Sequence, residues 1–191
     1  METLLGPVTL NLYNDNLYGS NLGNKAEITD KYSTIEFKNT KDIKANLYNS
    51  RLDADNTGNL YIESKYSKVT IETSGNLDVN GYNDKYSFLK TGDITFVAKY
   101  SDLKTETSGH VNLNCYEGDF YLKVIKDVEI ISKYADYQFE IAENCSIASS
   151  YNDKLSAGKL NSLRIIDSKY CIFKIDELVL VTIGFWKSSY K

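Results

Sequence analysis

The chain is short of the residues on which most catalytic readings depend. Among 191 residues there is one proline, Pro7, and one histidine, His110. That leaves little for turn-breaking and little for imidazole chemistry. The basic residues are almost all lysine, since Arg51 and Arg164 are the only arginines. Three cysteines, Cys115, Cys145 and Cys171, are an odd number with no close pair, so neither a disulfide framework nor a CxxC metal or redox motif is present. No apolar run approaches the roughly 18 residues that span a bilayer, and the best one, Leu178 to Trp186, is only strand-sized. The segment Met1-Glu2-Thr3-Leu4-Leu5-Gly6-Pro7 lacks a basic region followed by an apolar core, so it does not read as a signal peptide. An exported form would have lost its targeting segment.

What is present is an ordinary soluble composition with an excess of tyrosine. Hydrophobic residues make up 42% and tyrosine occurs 16 times, enough for one domain, or at most two, with a normal core. The net charge of −4 argues against a non-specific nucleic-acid surface, which needs a basic stripe.

The chain repeats itself every seventeen residues. Gly58 to Ser108 reads GNLYIESKYSKVTIETS, GNLDVNGYNDKYSFLKT and GDITFVAKYSDLKTETS, and the frame extends to starts at 24, 41, 58, 75, 92, 109, 126 and 143. Position three of each coil carries Ala26, Ile43, Leu60, Leu77, Ile94, Val111, Val128 and Cys145. Position five carries Ile28, Ala45, Ile62, Val79, Phe96, Leu113, Ile130 and Ile147. Two apolar columns two residues apart are the signature of a strand. Positions twelve and fourteen repeat it, from Ile35 and Phe37 to Tyr137 and Phe139, with Ser, Asn, Asp and Gly turn residues between. No segment has the spacing of an amphipathic helix.

A coil this thin cannot bury its own apolar face, so it must stack on the next one. The expected fold is therefore all-β, a single-stranded parallel β-helix or β-solenoid of about eleven coils of ~17 residues forming one domain over 1–191. Right-handed winding is expected from the hand of parallel crossovers. Residues 24–176 are the regular coils, 1–23 an N-terminal cap or irregular coil, and 177–191 a last coil or a cap. Two residues are inserted beyond Ser150, and Asp167 reads as one of them.

Two outward columns are candidate sites. Position eight alternates Lys31, Tyr48, Lys65, Tyr82, Lys99, Tyr116, Lys133, and position nine runs Tyr32, Asn49, Tyr66, Asn83, Tyr100, Glu117, Tyr134, Tyr151. Ammonium groups beside ring faces would stabilise a turn. An exposed Lys/Tyr stripe would also suit a glycan or a partner protein, because tyrosine is flat and amphipathic. The direction of the position-nine rings stays open, since counting from either strand gives opposite answers. Position eleven carries Asp102, Asp119, Asp136 and Asp153, which read as solvated turn residues or as oxygen ligands for a hard cation.

An enzyme finds little support. His110 occupies position two, where other coils carry Asn or Asp, Cys115 and Cys145 fall in inward columns, and Cys171 has no histidine near it in the repeat. Residues 24 to 150 admit no inserted loop that could enclose a substrate. No cofactor is implied.

With Gly-Asn-Leu-Asp-Val (75–79), Gly-Asp-Ile-Thr-Phe (92–96) and the recurring Lys-Tyr-Ser (65–67, 85–87, 99–101), the chain resembles a bacterial adhesin-like β-solenoid family, akin to autotransporter-adhesin heads. The likeness covers roughly residues 24 to 176. It implies an extracytoplasmic or cell-surface location and a binding or structural role, with no catalytic residues to transfer. The expected partners are a surface glycan, an envelope protein, or further copies meeting at the rod ends as in bactofilin-like scaffolds. A carbohydrate-active enzyme is the remaining alternative.

Overall fold

The computed structural model describes residues 3, 4 and 6–184; Phe185 and Trp186 of the apolar C-terminal stretch lie outside them. Those residues form strands and turns only, wound into a β-solenoid. Each strand pairs in parallel with the next but one along the chain: Ile43–Tyr48 lies between Ala26–Lys31 and Leu60–Lys65, and Arg51–Asn56 between Thr34–Thr40 and Lys68–Thr73. The two resulting ladders meet in the continuous run Asp102–Tyr151.

Alternation explains why the strands sit where they do. In Leu60–Lys65, Leu77–Tyr82 and Ile94–Lys99 the first, third and fifth residues are buried and the others exposed. Their apolar columns face those of the second ladder, so Ile62, Val79 and Phe96 share one core with Val69, Tyr86 and Leu103. Inside it the rings of Tyr86, Phe96, Phe120 and Tyr137 succeed one another at 5.2, 5.8 and 4.9 Å.

The turns of the rod are counted by the backbone. Ten non-glycine residues have left-handed φ values of 51° to 64°, namely Asn14, Tyr32, Asn49, Tyr66, Asn83, Tyr100, Glu117, Tyr134, Asn152 and Tyr170. They give ten turns, against the eleven obtained by dividing length by period. The ten corners run from Asn14 to Tyr170, whereas the division also counts the residues before and after them; within that range the spacing is 17, except for 18 from Asn14 to Tyr32 and again from Tyr134 to Asn152 and Asn152 to Tyr170. The C-terminal insertions therefore start before Ser150. Asn144 still bonds Asp127 seventeen residues back, Ile147 and Ser150 are both buried and the left-handed residue falls at Asn152, so the extra residue lies at Ala148–Ser149. Ile147 pairs with Ile165 and Ser150 with Ser168, so it is copied directly above at Ile166–Asp167.

One corner of the coils from Asp42 to His110 is held by a side-chain ladder at position two. The Oδ1 of Asp42, Asn59, Asn76 and Asp93 accepts the N–H of Asn59, Asn76, Asp93 and His110 one coil on, at 2.8 to 3.0 Å. His110 is thus a member of this ladder, and its Nδ1 also lies 2.8 Å from Asp127 Oδ2. The ladder explains the glycines at position one, because a Cβ on Gly75 or Gly92 would stand only 2.6 or 2.4 Å from the Oδ1 of Asn59 or Asn76.

Candidate functional site

The opposite corner, positions eight to ten, is where the chain concentrates its exposed aromatic surface. Position eight ends the first strand and points outward, position nine is the left-handed residue, and position ten turns back into the core. The backbone stays bonded through this bend. The N–H of Tyr32, Tyr66 and Tyr100 donates to the carbonyl of Tyr48, Tyr82 and Tyr116 in the next coil at 2.9 to 3.0 Å.

Position ten shows what Lys-Tyr-Ser means. Ser33, Ser50, Ser67 and Ser101 are buried, and the last three donate Oγ–H to the carbonyls of Tyr48, Lys65 and Lys99, two residues earlier, at 2.9 to 3.0 Å. The serine oxygen in turn accepts an N–H from the coil below, as Ser67 Oγ does from Ser50 and Ser101 Oγ from Asp84. The serine is an internal staple, not a solvated turn residue. Lys85-Tyr86-Ser87 is a different object, since it lies in a second strand and buries Tyr86.

The rings themselves form one continuous ladder. Tyr13, Tyr32, Tyr48, Tyr66, Tyr82, Tyr100, Tyr116, Tyr134, Tyr151 and Tyr170 contact one another edge to face, with centroids 5.5 to 5.7 Å apart. Each coil contributes one ring, from position nine where position eight is lysine and from position eight otherwise. The expected Lys–Tyr stripe is therefore half of a tyrosine stripe. Lys31, Lys65, Lys99 and Lys133 are exposed beside it but lie over no ring among the described residues, where the two cation–π contacts are Lys104 on Tyr121 and Lys169 on Tyr170. Tyr151 sits at position eight and not nine, because the insertion at Ala148–Ser149 moves it one place, and Asn152 takes the left-handed site.

A bulky residue in the left-handed region is disfavoured by ~1–2 kcal/mol. Two edge-to-face contacts, each ~0.5–1.5 kcal/mol, offset that. The Tyr100 hydroxyl is held above its ordinary value of 10.0, first by desolvation and then by its neighbours Tyr116 and Tyr82.

Two shallow grooves flank the stripe. One, about 730 Å³, runs between the rings of Tyr82, Tyr100 and Tyr134 and the carboxylates of Asp102, Asp119 and Asp136. The other, about 640 Å³, lies over Val97 and Ile131 beside Lys65, Lys99 and Lys133.

The aspartate column is shorter than the repeat frame predicts. Asp136 pairs in register with Lys154, whose Nζ is 3.1 Å from Asp136 Oδ2. Asp153, displaced by the same insertion, is buried and accepts from Ser132, Ser150 and the Ala135 N–H at 2.6 to 2.8 Å. It occupies the internal column, like Asp84, which binds Ser64, Ser67, Tyr82 and Tyr86. Burial raises the Asp84 carboxyl above the ordinary 3.8 despite those bonds. Among the described residues no group of three or more His, Cys, Asp or Glu is arranged to hold a metal ion.

The thiols are placed by the same columns. Cys115 and Cys145 are buried, and desolvation pushes each to about 12, far from the thiolate a nucleophile needs. Cys171 is half-buried at position ten, 3.0 Å from Ser150 Oγ. The continuous ring ladder had one legible trace, since the ladder tyrosines from Tyr32 to Tyr134 are spaced 16 and 18 in alternation, which averages to the repeat. Comparison with protein families, curated proteins and solved structures finds no match to this chain.

Proposed function

We propose that this chain is a non-enzymatic β-solenoid of the bacterial cell envelope or surface, an adhesin-like module that meets an extended glycan along its tyrosine corner. The ten-ring ladder carries this reading. It puts one partly exposed amphipathic ring on every coil, a repeating surface matched in kind to a repeating chain. Grooves on both sides supply carboxylates on one flank and ammonium groups on the other for hydroxyl and charged substituents. The Lys-Tyr-Ser repeats that suggest an exported adhesin are the support for an extracytoplasmic location. The non-enzymatic reading is supported by high-lying buried thiols, a histidine engaged with Asp127, and grooves that stay open. Turnover on a polysaccharide panel would overturn it.

The test of the binding role replaces Tyr48, Tyr82 and Tyr116 by Ser and measures retention on immobilised cell-surface glycans and envelope extracts, with circular dichroism as the control for folding. Retention by the parent and its loss in the folded variant is the expected result. No retention by the parent, with the substitutions lowering stability alone, would refute it.

A second reading, an end-to-end scaffold, is favoured by the last strand. Among the described residues Ile172–Ile183 pairs on one side only, with Lys154–Ile165, and Val179, Leu180, Val181 and Ile183 are exposed. Concentration-dependent filaments in light scattering, abolished by Ile183→Lys, would establish it.

A further inference from the structure

We propose that two copies of this chain pair side by side and in opposite directions, along the position-eleven column and its tyrosine stripe. The column reads Arg51, Lys68, Lys85 and then Asp102, Asp119, Asp136 on six consecutive coils. Coils are about 4.8 Å apart, so the rod carries a basic block followed directly by an acidic one of the same length. The sign changes between Lys85 and Asp102, which are register partners.

A two-fold axis through that boundary sets Lys85 against Asp102, Lys68 against Asp119 and Arg51 against Asp136, each pair made twice. Parallel pairing would set like charges together, so the pattern selects the antiparallel arrangement. The same axis passes between Tyr82 and Tyr100, whose rings touch at 5.5 Å, and lays the two stripes alongside each other in opposite directions. The groove of about 730 Å³ beside the aspartates gives the partner's lysine stems a lane between carboxylates and ring faces.

Within one copy the four charges nearest the boundary are left without an opposite charge among the described residues, although Asp102 Oδ1 accepts the Asp119 N–H at 3.1 Å. Among the described residues Lys68, Lys85, Asp102 and Asp119 form no ion pair, whereas Arg51 is held by Asp53 and Asp136 by Lys154. The central four charges per copy therefore carry the pairing. The proposal does not rest on the glycan reading, and a closed dimer is distinguishable from end-to-end filaments by its fixed mass.

The experiment is sedimentation velocity on the whole chain and on Asp119→Lys and Lys68→Asp, alone and mixed, with circular dichroism to confirm folding. The parent is expected as a dimer at about 0.01 M salt that dissociates at about 1 M, where the screening length falls from about 30 to about 3 Å. Each variant alone should associate at least about tenfold more weakly, because two attractive pairs become repulsive. Mixed in equal amounts they should recover a dimer containing one of each, since each then offers the sign the other lacks. A parent that stays monomeric at low salt, folded variants that dimerise as the parent does, or a mixture that stays monomeric would each overturn the proposal.

Discussion

Replacing Asp30 by leucine should stabilise the protein. Asp30 is 1% exposed, and among the described residues neither carboxylate oxygen has a hydrogen-bond partner. It occupies the inward position seven, with Leu12 as its register partner in the coil before and Leu47 in the coil after. Burying a polar group without a partner costs about 1–3 kcal/mol by protein mutational measures, and more for a charged one. Leucine removes that cost and adds about 1.5–3 kcal/mol of apolar burial. Leu47 lies 1% exposed in the same column, so the core admits this side chain, and an overpacking cost of about 1 kcal/mol is the allowance to subtract. The net expectation is about 2–4 kcal/mol, or roughly 5–15 °C in Tm for a chain of this size. Urea unfolding should show a higher midpoint with an unchanged slope. Because solenoid stability is a sum of neighbouring-coil terms, amide exchange should slow mainly in the coils around Asp30. Asp30→Asn, still lacking a partner, should gain less than the leucine. A lower midpoint for Asp30→Leu would refute the reasoning and mean that the carboxylate is satisfied in solution.

The tyrosine ladder makes a position-dependent prediction. Tyr82→Asn, at position eight, should lose about 1–3 kcal/mol with its two ring contacts, whereas Tyr66→Asn, at the left-handed site that asparagine tolerates, should regain about 1–2 of that and come out near neutral in urea midpoints. Asp84 has a folded-state carboxyl raised above 3.8 by burial, so its protonated form is favoured by folding and its stabilising contribution is complete below that pH and lost as the pH rises through the raised value. Asp84→Asn should therefore flatten the fall in stability between about pH 4 and neutrality in a series of urea midpoints, and an unchanged pH profile would contradict the desolvation account. Gly75→Ala should lower the unfolding free energy read from urea titration by about 1–2 kcal/mol, because its Cβ meets the Asn59 oxygen at 2.6 Å and opens the position-two ladder.

Much of this was legible because the repeat fixes a side for every residue. The inward columns at positions three, five, twelve and fourteen are buried in the regular coils from Ile43 to Phe139. The glycine at position one and the Asn or Asp after it were visible as turn residues, but their joint function was not. It depends on an Oδ1 reaching the N–H seventeen residues later, a contact that no local pattern encodes. Asp153 misled for a related reason. Its count from Asp136 is seventeen, yet the extra residue at Ala148–Ser149 breaks the frame between them and turns Asp153 into the core.

The sequence alone determined the solenoid, its period, its strands and its core, because a two-residue alternation inside a seventeen-residue repeat leaves a thin coil only one way to bury its apolar face. Only the tertiary structure decided where the corner residues point. A left-handed φ at position nine turns its side chain outward, as counting back from the second strand gives and counting along the first does not, and it is stabilised by rings and carbonyls in neighbouring coils, not by its chain neighbours. That single backbone state turned two interrupted columns into one ladder of ten rings.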